Sequence, residues 1–327
     1  MEDSNFPPFL VKFLPQLSIF IGMFIGLLLP VFIVIVQTNP QIVTETKLYK
    51  IVGSWSARRY TWYLNRNHVS SDNDEHDITV SELNVYPVKS LRKVAIEVSK
   101  LDALGLENDR RLMIVRRTVD MYDVERWRFL TQRQCSSLAT IDATVSDDNH
   151  LIKLSVENGK KSVDIDISQE KIMQGDKLVA GIWDDKVVVS DISSEDARQF
   201  IYNVVEKEVK LDPSLGITEP NDVRLVSILP LSKHQRASDE SYMPLAALQG
   251  NGSSPNVALS DGYPILIANE ASLAELNRKI VAKSKPEIPM SRFRPNIVVK
   301  GAKAFEEDEW KAIEIEGNVF HVVKGKN

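Results

Sequence analysis

The amino-acid sequence predicts a mainly β protein with a few helices, its strands forming a barrel or sandwich behind one membrane-spanning helix. Three observations carry this. From Ile78 onward, short apolar runs alternate with polar residues, as in Val94, Ile96 and Val98 or Val163, Ile165 and Ile167, the spacing of half-buried strands. Helical spacing is confined to two stretches of that region, and many short strands with few helices define the fold class. Third, Leu17 to Val36 is a continuous apolar run whose only polar side chain is Ser18. At about 1.5 Å per residue it is long enough to cross a bilayer core.

The elements follow in order. Residues 1–16 form an N-terminal tail and 17–37 the transmembrane helix. Glu2 and Asp3 precede the run and Thr38-Asn39-Pro40 follows it without a small-x-small site, so a retained anchor is preferred to a cleaved signal peptide. Lys12 lies before the span, whereas Lys47, Lys50, Arg58 and Arg59 lie after it, which places the C-terminal body in the cytosol. Residues 38–77 read as a juxtamembrane linker, with Trp55, Tyr60, Trp62 and Tyr63 suited to the lipid interface. His68, Asp72, Asp74, Glu75 and His76 have no apolar frame to fix a metal geometry, and a solvated spacer is the stronger reading.

Beyond the linker, Ser81 to Val85 is a strand stopped by Pro87, which delivers Lys89 and Ser90 together. Further strands are expected at Arg111 to Val115, Trp127 to Thr131, Leu151 to Val156 and Lys186 to Ile192. Ser193 opens a helix as its cap, with Glu195 and Asp196 in the first turn and Ala197, Phe200, Ile201, Val204 and Val205 on one face. Leu211 to Gly262 reads as loop-rich. A strand over Tyr263 to Ala268, a helix over Asn269 to Ile280, a strand over Phe293 to Val299 and a last one over Val319 to Val323 complete the chain.

Composition limits the chemistry. The chain has 327 residues and a net charge of −5 with no basic stripe, which argues against a nucleic-acid partner. Cys135 is its single cysteine, so an intramolecular disulfide and every Cys-x-x-Cys metal site are excluded. Four polar sites stand at strand ends: Lys89 with Ser90, Arg110 after Asp109, Ser260-Asp261-Gly262, and Arg294 with Asn296. Three cations there would line one pocket for a phosphorylated heterocycle, because arginine forks match phosphate and ring-nitrogen edges. Alternatively, each arginine simply pairs with a surface carboxylate.

Together these segments resemble the MOSC family, named for the C-terminal domain of molybdenum cofactor sulfurase, and within it the branch of the mitochondrial amidoxime-reducing components. The resemblance rests on Tyr86-Pro87-Val88-Lys89-Ser90, Gly105-Leu106 with Asp109-Arg110, Phe129 to Gln134, Ser260 to Pro264, Asn269 to Leu273, and Phe293 to Asn296. It implies a MOSC N-terminal β-barrel domain over 78–212 and a MOSC β-barrel domain over 213–327, incomplete at its C-terminus. It also implies a molybdenum–molybdopterin cofactor, with Lys89, Ser90, Arg110, Gly262, Tyr263, Arg294 and Asn296 as its binding residues. Gly262 and Tyr263 depart from the Thr-Ser found in relatives, and Arg133 lies near the expected site.

Members of this branch reduce N-hydroxylated compounds with electrons from NADH through cytochrome b5 and its reductase, and the expectation for this chain is the mitochondrial outer membrane or the endoplasmic reticulum. Their metal-ligand cysteine would follow the segment Gly317 to Lys324, where this sequence instead reads Gly325-Lys326-Asn327. Cys135 lies in another segment. The expectation is therefore a truncated chain with no catalytic residue identified, no protein metal ligand and impaired reductase activity. A non-catalytic molybdopterin-binding or carrier protein, or a folding-defective fragment, is the alternative.

Overall fold

Along the chain the strands are β1 (Thr79–Val85), β2 (Val88–Lys89), β3 (Val94–Ile96), β4 (Leu101–Asp102), β5 (Gly105–Leu106), β6 (Leu112–Val119), β7 (Glu125–Phe129), β8 (Asp142–Val145), β9 (Leu151–Val156) and β10 (Lys161–Asp166). The short helix α1 (Gln169–Gln174), the hairpin strands β11 (Lys177–Ile182) and β12 (Asp185–Asp191), and α2 (Glu195–Leu211) follow. The remainder is β13 (Val223–Ile228), β14 (Ile267–Asn269), α3 (Glu270–Val281), β15 (Ile297–Lys300), β16 (Ala312–Ile315) and β17 (Asn318–His321). This computed structural model describes residues 77–119, 125–234, 236–238 and 256–323. The expected transmembrane run and the juxtamembrane linker up to residue 76 lie outside the described residues, as do Gly250 to Pro255. Among the described residues no helix is long and apolar enough to cross a membrane.

The β6 strand pairs antiparallel with both β7 and β13, β7 runs parallel to β11, and β12 joins β11 to β13. These five strands close a ring, which removes sheet edges. One side chain set on the ring (Met113, Val115, Phe129, Ala180, Ile182, Val187, Val189, Val226 and Ile228) makes one apolar core with Leu104, Ala258 and Leu259. The alternate set (Leu112, Ile114, Val223 and Leu225) packs into a second core with Ala197, Ile201, Val205 and Val209 of α2 and with Ile152 and Leu154 of β9. β6 is therefore buried on both faces. β2 extends the sheet as a parallel neighbour of β6, with Val88 opposite Leu112 and Lys89 opposite Met113.

A second, open sheet has the order β14-β15-β1-β3. In it β1 is antiparallel to β15 and β3, with a bulge between Val80 and Glu82, while β14 is parallel to β15. The chain thus pairs its first described strand with one near its far end, since Thr79 faces Lys300. A meander, β8-β9-β10, and the hairpins β4-β5 and β16-β17 complete the strands. The mainly β class holds.

Several expected boundaries move. The α2 cap is Ser194, whose side chain accepts from Ala197 N, not Ser193. Ser193 is held instead by Asp191, whose Oδ1 accepts its backbone N–H at 2.9 Å. The loop-rich reading of Leu211 to Gly262 misses β13, a strand of the ring in which only Arg224 is not fully buried. Buried on both faces, it shows no alternation. The strand expected over Tyr263 to Ala268 is confined to Ile267–Asn269, and that over Phe293 to Val299 to Ile297–Lys300. Asn269 ends β14 and caps α3 by accepting from Ala271 N.

Candidate functional site

Proline at 87 has no donor to give a strand, so β1 ends at Val85 and the chain restarts as β2 in the other sheet, beside β6. The carbonyls left by this jog are taken by the next segment: Arg110 N donates to Tyr86 O at 2.7 Å and Leu112 N to Pro87 O at 3.0 Å. Leu259 N in turn donates to Arg110 O at 3.0 Å. Asn84 N donates to Asn296 O at 2.7 Å, and Asn296 N to Leu266 O at 2.8 Å. Four segments distant in sequence, 84–90, 109–112, 257–266 and 294–296, are thereby stitched at the start of β6.

Tyr86 is the platform of this junction, 1% exposed. The Arg110 guanidinium lies 4.7 Å and the Arg294 guanidinium 4.2 Å from its ring centroid, a pair of cation–π contacts that holds two like charges on one aromatic. Burial pushes the Tyr86 hydroxyl up to about 12, against the pull of both arginines, so it stays protonated, with its oxygen 3.3 Å from Pro295 O as donor. Arg110 donates to Asp109 Oδ2 at 2.5 Å, Asn296 Oδ1 at 3.1 Å and Arg294 O at 3.2 Å. Asp109 is itself buried and accepts from Tyr86 N at 2.8 Å. Arg110 therefore pairs with a buried acid, not a surface carboxylate.

Arg294 donates to Leu91 O at 2.6 Å, but its Nη2 is buried without a partner. Burial, reinforced by Arg110, lowers its guanidinium to about 10. Asn296, fully buried, accepts from Arg110 and from Leu266 N at 3.1 Å and donates to Asn84 O at 3.2 Å. It ties the two arginine segments together.

Lys89 is 7% exposed, not the solvated lysine of an ordinary turn. Its Nζ donates to Leu259 O at 2.8 Å and Asp261 Oδ1 at 2.5 Å, and lies 5.4 Å from the Phe129 ring centroid. Burial lowers its pKa although Asp261 opposes the shift. Asp261 also accepts from Trp183 Nε1 at 2.9 Å, and Trp183 packs edge-on to Phe129 at 5.1 Å. For the Asp261 carboxyl, burial acts to raise the pKa, yet Lys89, with Trp183 and Arg110, outweighs it and the net shift is downward.

Of the expected residues, the structure brings Lys89, Arg110, Arg294 and Asn296 to this junction. Ser90 follows Lys89, and its carbonyl accepts from Gln132 at 2.7 Å. Gly262 and Tyr263 adjoin Asp261, half-buried, while the segment's hydrogen bonds to Lys89 come from Leu259 and Asp261. Arg133 is exposed, 5.9 Å from the Trp183 ring. Cys135 is fully buried in the α2-side core; burial pushes its thiol up to about 11, and its charged neighbours are Glu208, Arg116 and Asp212.

Sequence reasoning missed Tyr86 as platform, Trp183, and Arg236. Arg236, 6% exposed, donates to Ala258 O, Ser260 O and Asp261 O at 3.1, 2.5 and 3.1 Å and to Asp185 at 3.0 Å. It fixes the backbone that carries Asp261. No local pattern marks such a residue. A further signal is visible only in three dimensions: Ser90, Arg110 and Arg294 have φ of 72°, 49° and 58°. Non-glycine residues in the left-handed region cost of order 1–3 kcal/mol each and gather at functional sites.

A closed five-stranded ring, an open sheet, and a cationic junction between four segments define the class. Residues 77–208 match the MOSC N-terminal beta barrel domain and residues 254–327 the MOSC domain, so the chain is similar to both domains of that family. It is similar to mitochondrial amidoxime reducing component 2 of Bos taurus, 31% identical over 245 residues that cover 74% of this chain and 61% of that one. The component 2 of Homo sapiens is 30% identical, covering 71% and 59%, and component 1 of Mus musculus 26% identical, covering 72% and 59%. The chain spans about three-fifths of the length of the curated relatives it matches. A solution structure of a Bordetella bronchiseptica protein, 14% identical, covers 41% of this chain and 91% of that one with a TM-score of 0.26, too slight a likeness to bear on the fold.

Proposed function

We propose that the junction binds the anionic end of a molybdopterin and that the chain is a membrane-anchored oxidoreductase of MOSC type acting on N-hydroxylated compounds. The observation that carries this reading is the unpartnered, buried Arg294 Nη2 beside Arg110 and on the Tyr86 ring, in backbone held at positive φ. A buried donor without an acceptor costs about 1–3 kcal/mol, and an anionic ligand removes that cost. Ser260 Oγ, also buried without a partner, neighbours Asp261.

The residues present fit an anionic pterin. Lys89, Arg110 and Arg294 exceed Asp109 and Asp261 by one positive charge, and Asn296 and Ser260 are neutral hydrogen-bonding groups. Lys89 and Arg294 would hold the phosphate, Arg110 and Asn296 would orient the ring edge, and Tyr86 keeps the two guanidiniums on one aromatic ring. When bound, such a cofactor supplies the two-electron redox chemistry for which the protein provides binding and a dry site. Anchoring by Leu17–Val36, a place in the mitochondrial outer membrane or endoplasmic reticulum, and electron supply by cytochrome b5 and NADH-cytochrome b5 reductase complete the proposal.

One observation favours a second reading, a pterin-holding protein without catalysis. Cys135 is the only cysteine in the 327-residue sequence, and burial holds it as an inert thiol. Expression in a host that makes the cofactor, followed by separate counts of pterin and molybdenum per chain, tests both. About one of each supports the oxidoreductase, pterin without metal supports the carrier, and neither contradicts the site.

A further inference from the structure

Lys89 is a nearly buried ammonium, and an isolated buried charge costs several kcal/mol, so it needs an anion at all times. The anion it has is Asp261, and the two partners differ in burial: the Lys89 side chain is 8% exposed, the Asp261 side chain 71%. Asp261 is already largely hydrated, so turning it out to water gives up only its bonds to Lys89 and Trp183, whereas Lys89 cannot be left alone. The backbone under Asp261 does not need to move for this, because Arg236 clamps the carbonyls of 258, 260 and 261. Trp183 holds the carboxylate from the other side, through Nε1. It does so from the first position of a two-residue turn between Ile182 and Asp185, at φ 52°, where a turn with positive φ at its first position alone favours glycine.

Resting on the anion-site reading above, we propose that Asp261 is a built-in counter-anion of Lys89, held by Trp183 and exchanged for the ligand's own anionic group on binding. The charge balance supports it. With Asp261 swung out, Lys89, Arg110 and Arg294 exceed Asp109 by two positive charges. A phosphate monoester carries close to two negative charges above its second pKa of about 6. With Asp261 in place the excess is one, too small to neutralise the dianion. The downward shift of the Asp261 carboxyl keeps the exchange partner ionised throughout the neutral range.

The test uses the full chain, inorganic phosphate as the probe, and titration calorimetry at low salt and neutral pH. Asp261→Asn keeps the shape and an Oδ1 acceptor but removes the competing charge. It is expected to bind phosphate about tenfold more tightly than the parent, a gain of about 1.4 kcal/mol. Phosphate should also change the indole fluorescence of the parent, and that change should vanish in Trp183→Phe. Equal or weaker binding by Asp261→Asn, with binding still abolished in Lys89→Ala, overturns the exchange and leaves the anion site intact, with Asp261 as a positioning residue for Lys89. Phosphate binding that is undetectable in the parent and in Asp261→Asn overturns the site and the exchange together. Because Asp261 is exposed, a matched circular-dichroism melt suffices to show that the variant is folded.

Discussion

At the scale of single residues, the cationic junction is defined by which charges have partners. Arg110 cannot be removed cleanly, because Asp109, 3% exposed, would then be a buried carboxylate without its cation, at a cost of about 3–5 kcal/mol. Arg294 is different: its removal gives up the bond to Leu91 O and the Tyr86 ring contact but strands no bonded carboxylate and relieves repulsion with Arg110. Ser90 separates strain from function in another way. At φ 72° a glycine relaxes about 1 kcal/mol of strain, which offsets most of the entropy it adds to the unfolded chain. Ser90→Gly should therefore keep its thermal midpoint within about 4 °C of the parent while losing whatever affinity the hydroxyl supplies. Differential scanning fluorimetry beside a pterin count separates the two. Lys89 with Ser90, Arg110, Arg294 and Asn296 were legible as polar residues at expected strand ends, in the order of the family's segments. Tyr86 as a platform, Trp183 and Arg236 were not. Tyr86 meets Arg294, Trp183 meets Asp261 and Arg236 meets Asp185, partners so far apart along the chain that no spacing records them.

At the scale of elements, the barrel depends on β13, the strand that sequence reading passed over. Its neighbour β6 was legible as a continuous apolar run; β13 is likewise covered on both faces, but Arg224 and Ser227 interrupt it and leave neither continuity nor alternation. Leu225 is fully buried, so Leu225→Ala should cost about 2–5 kcal/mol, read from the urea midpoint at constant m-value. Asp222, just before β13 and 1% exposed, is a second support. It accepts from Thr218 N at 2.7 Å, Thr218 Oγ1 at 2.8 Å, Glu219 N at 3.1 Å and Arg117 Nη2 at 2.6 Å. Burial acts to raise its pKa, but the Thr218 bonds and Arg117 outweigh it and the net shift is downward. A depressed folded-state carboxyl contributes stability that is full above the unfolded value, about 3.9, and lost as pH falls through the folded value. Asp222→Asn should therefore destabilise by about 2 kcal/mol at neutral pH, with the gap to the parent narrowing below about pH 4. Urea melts at neutral pH and at about pH 3, below the unfolded carboxyl value, measure it.

At the scale of the whole molecule, the described residues form a five-stranded ring joined to an open sheet that pairs the first strand with one near the chain's end. That pairing, Thr79 with Lys300, makes the site dependent on contacts between the two ends of the described chain, so its assembly is slow to be rewarded during folding. The mainly β class was legible from alternation and strand count. Ring closure was not, because it is a property of pairing and not of any one segment. The proposed pterin binding at the junction depends on Arg294, and Arg278, an exposed arginine on α3 paired to Glu275, serves as control. After purification from a cofactor-producing host and oxidation of the pterin to its fluorescent form, Arg294→Ala should retain at least tenfold less pterin per folded chain than the parent, and Arg278→Ala an unchanged amount. Equal pterin in the parent and Arg294→Ala, with both folded, would contradict the site.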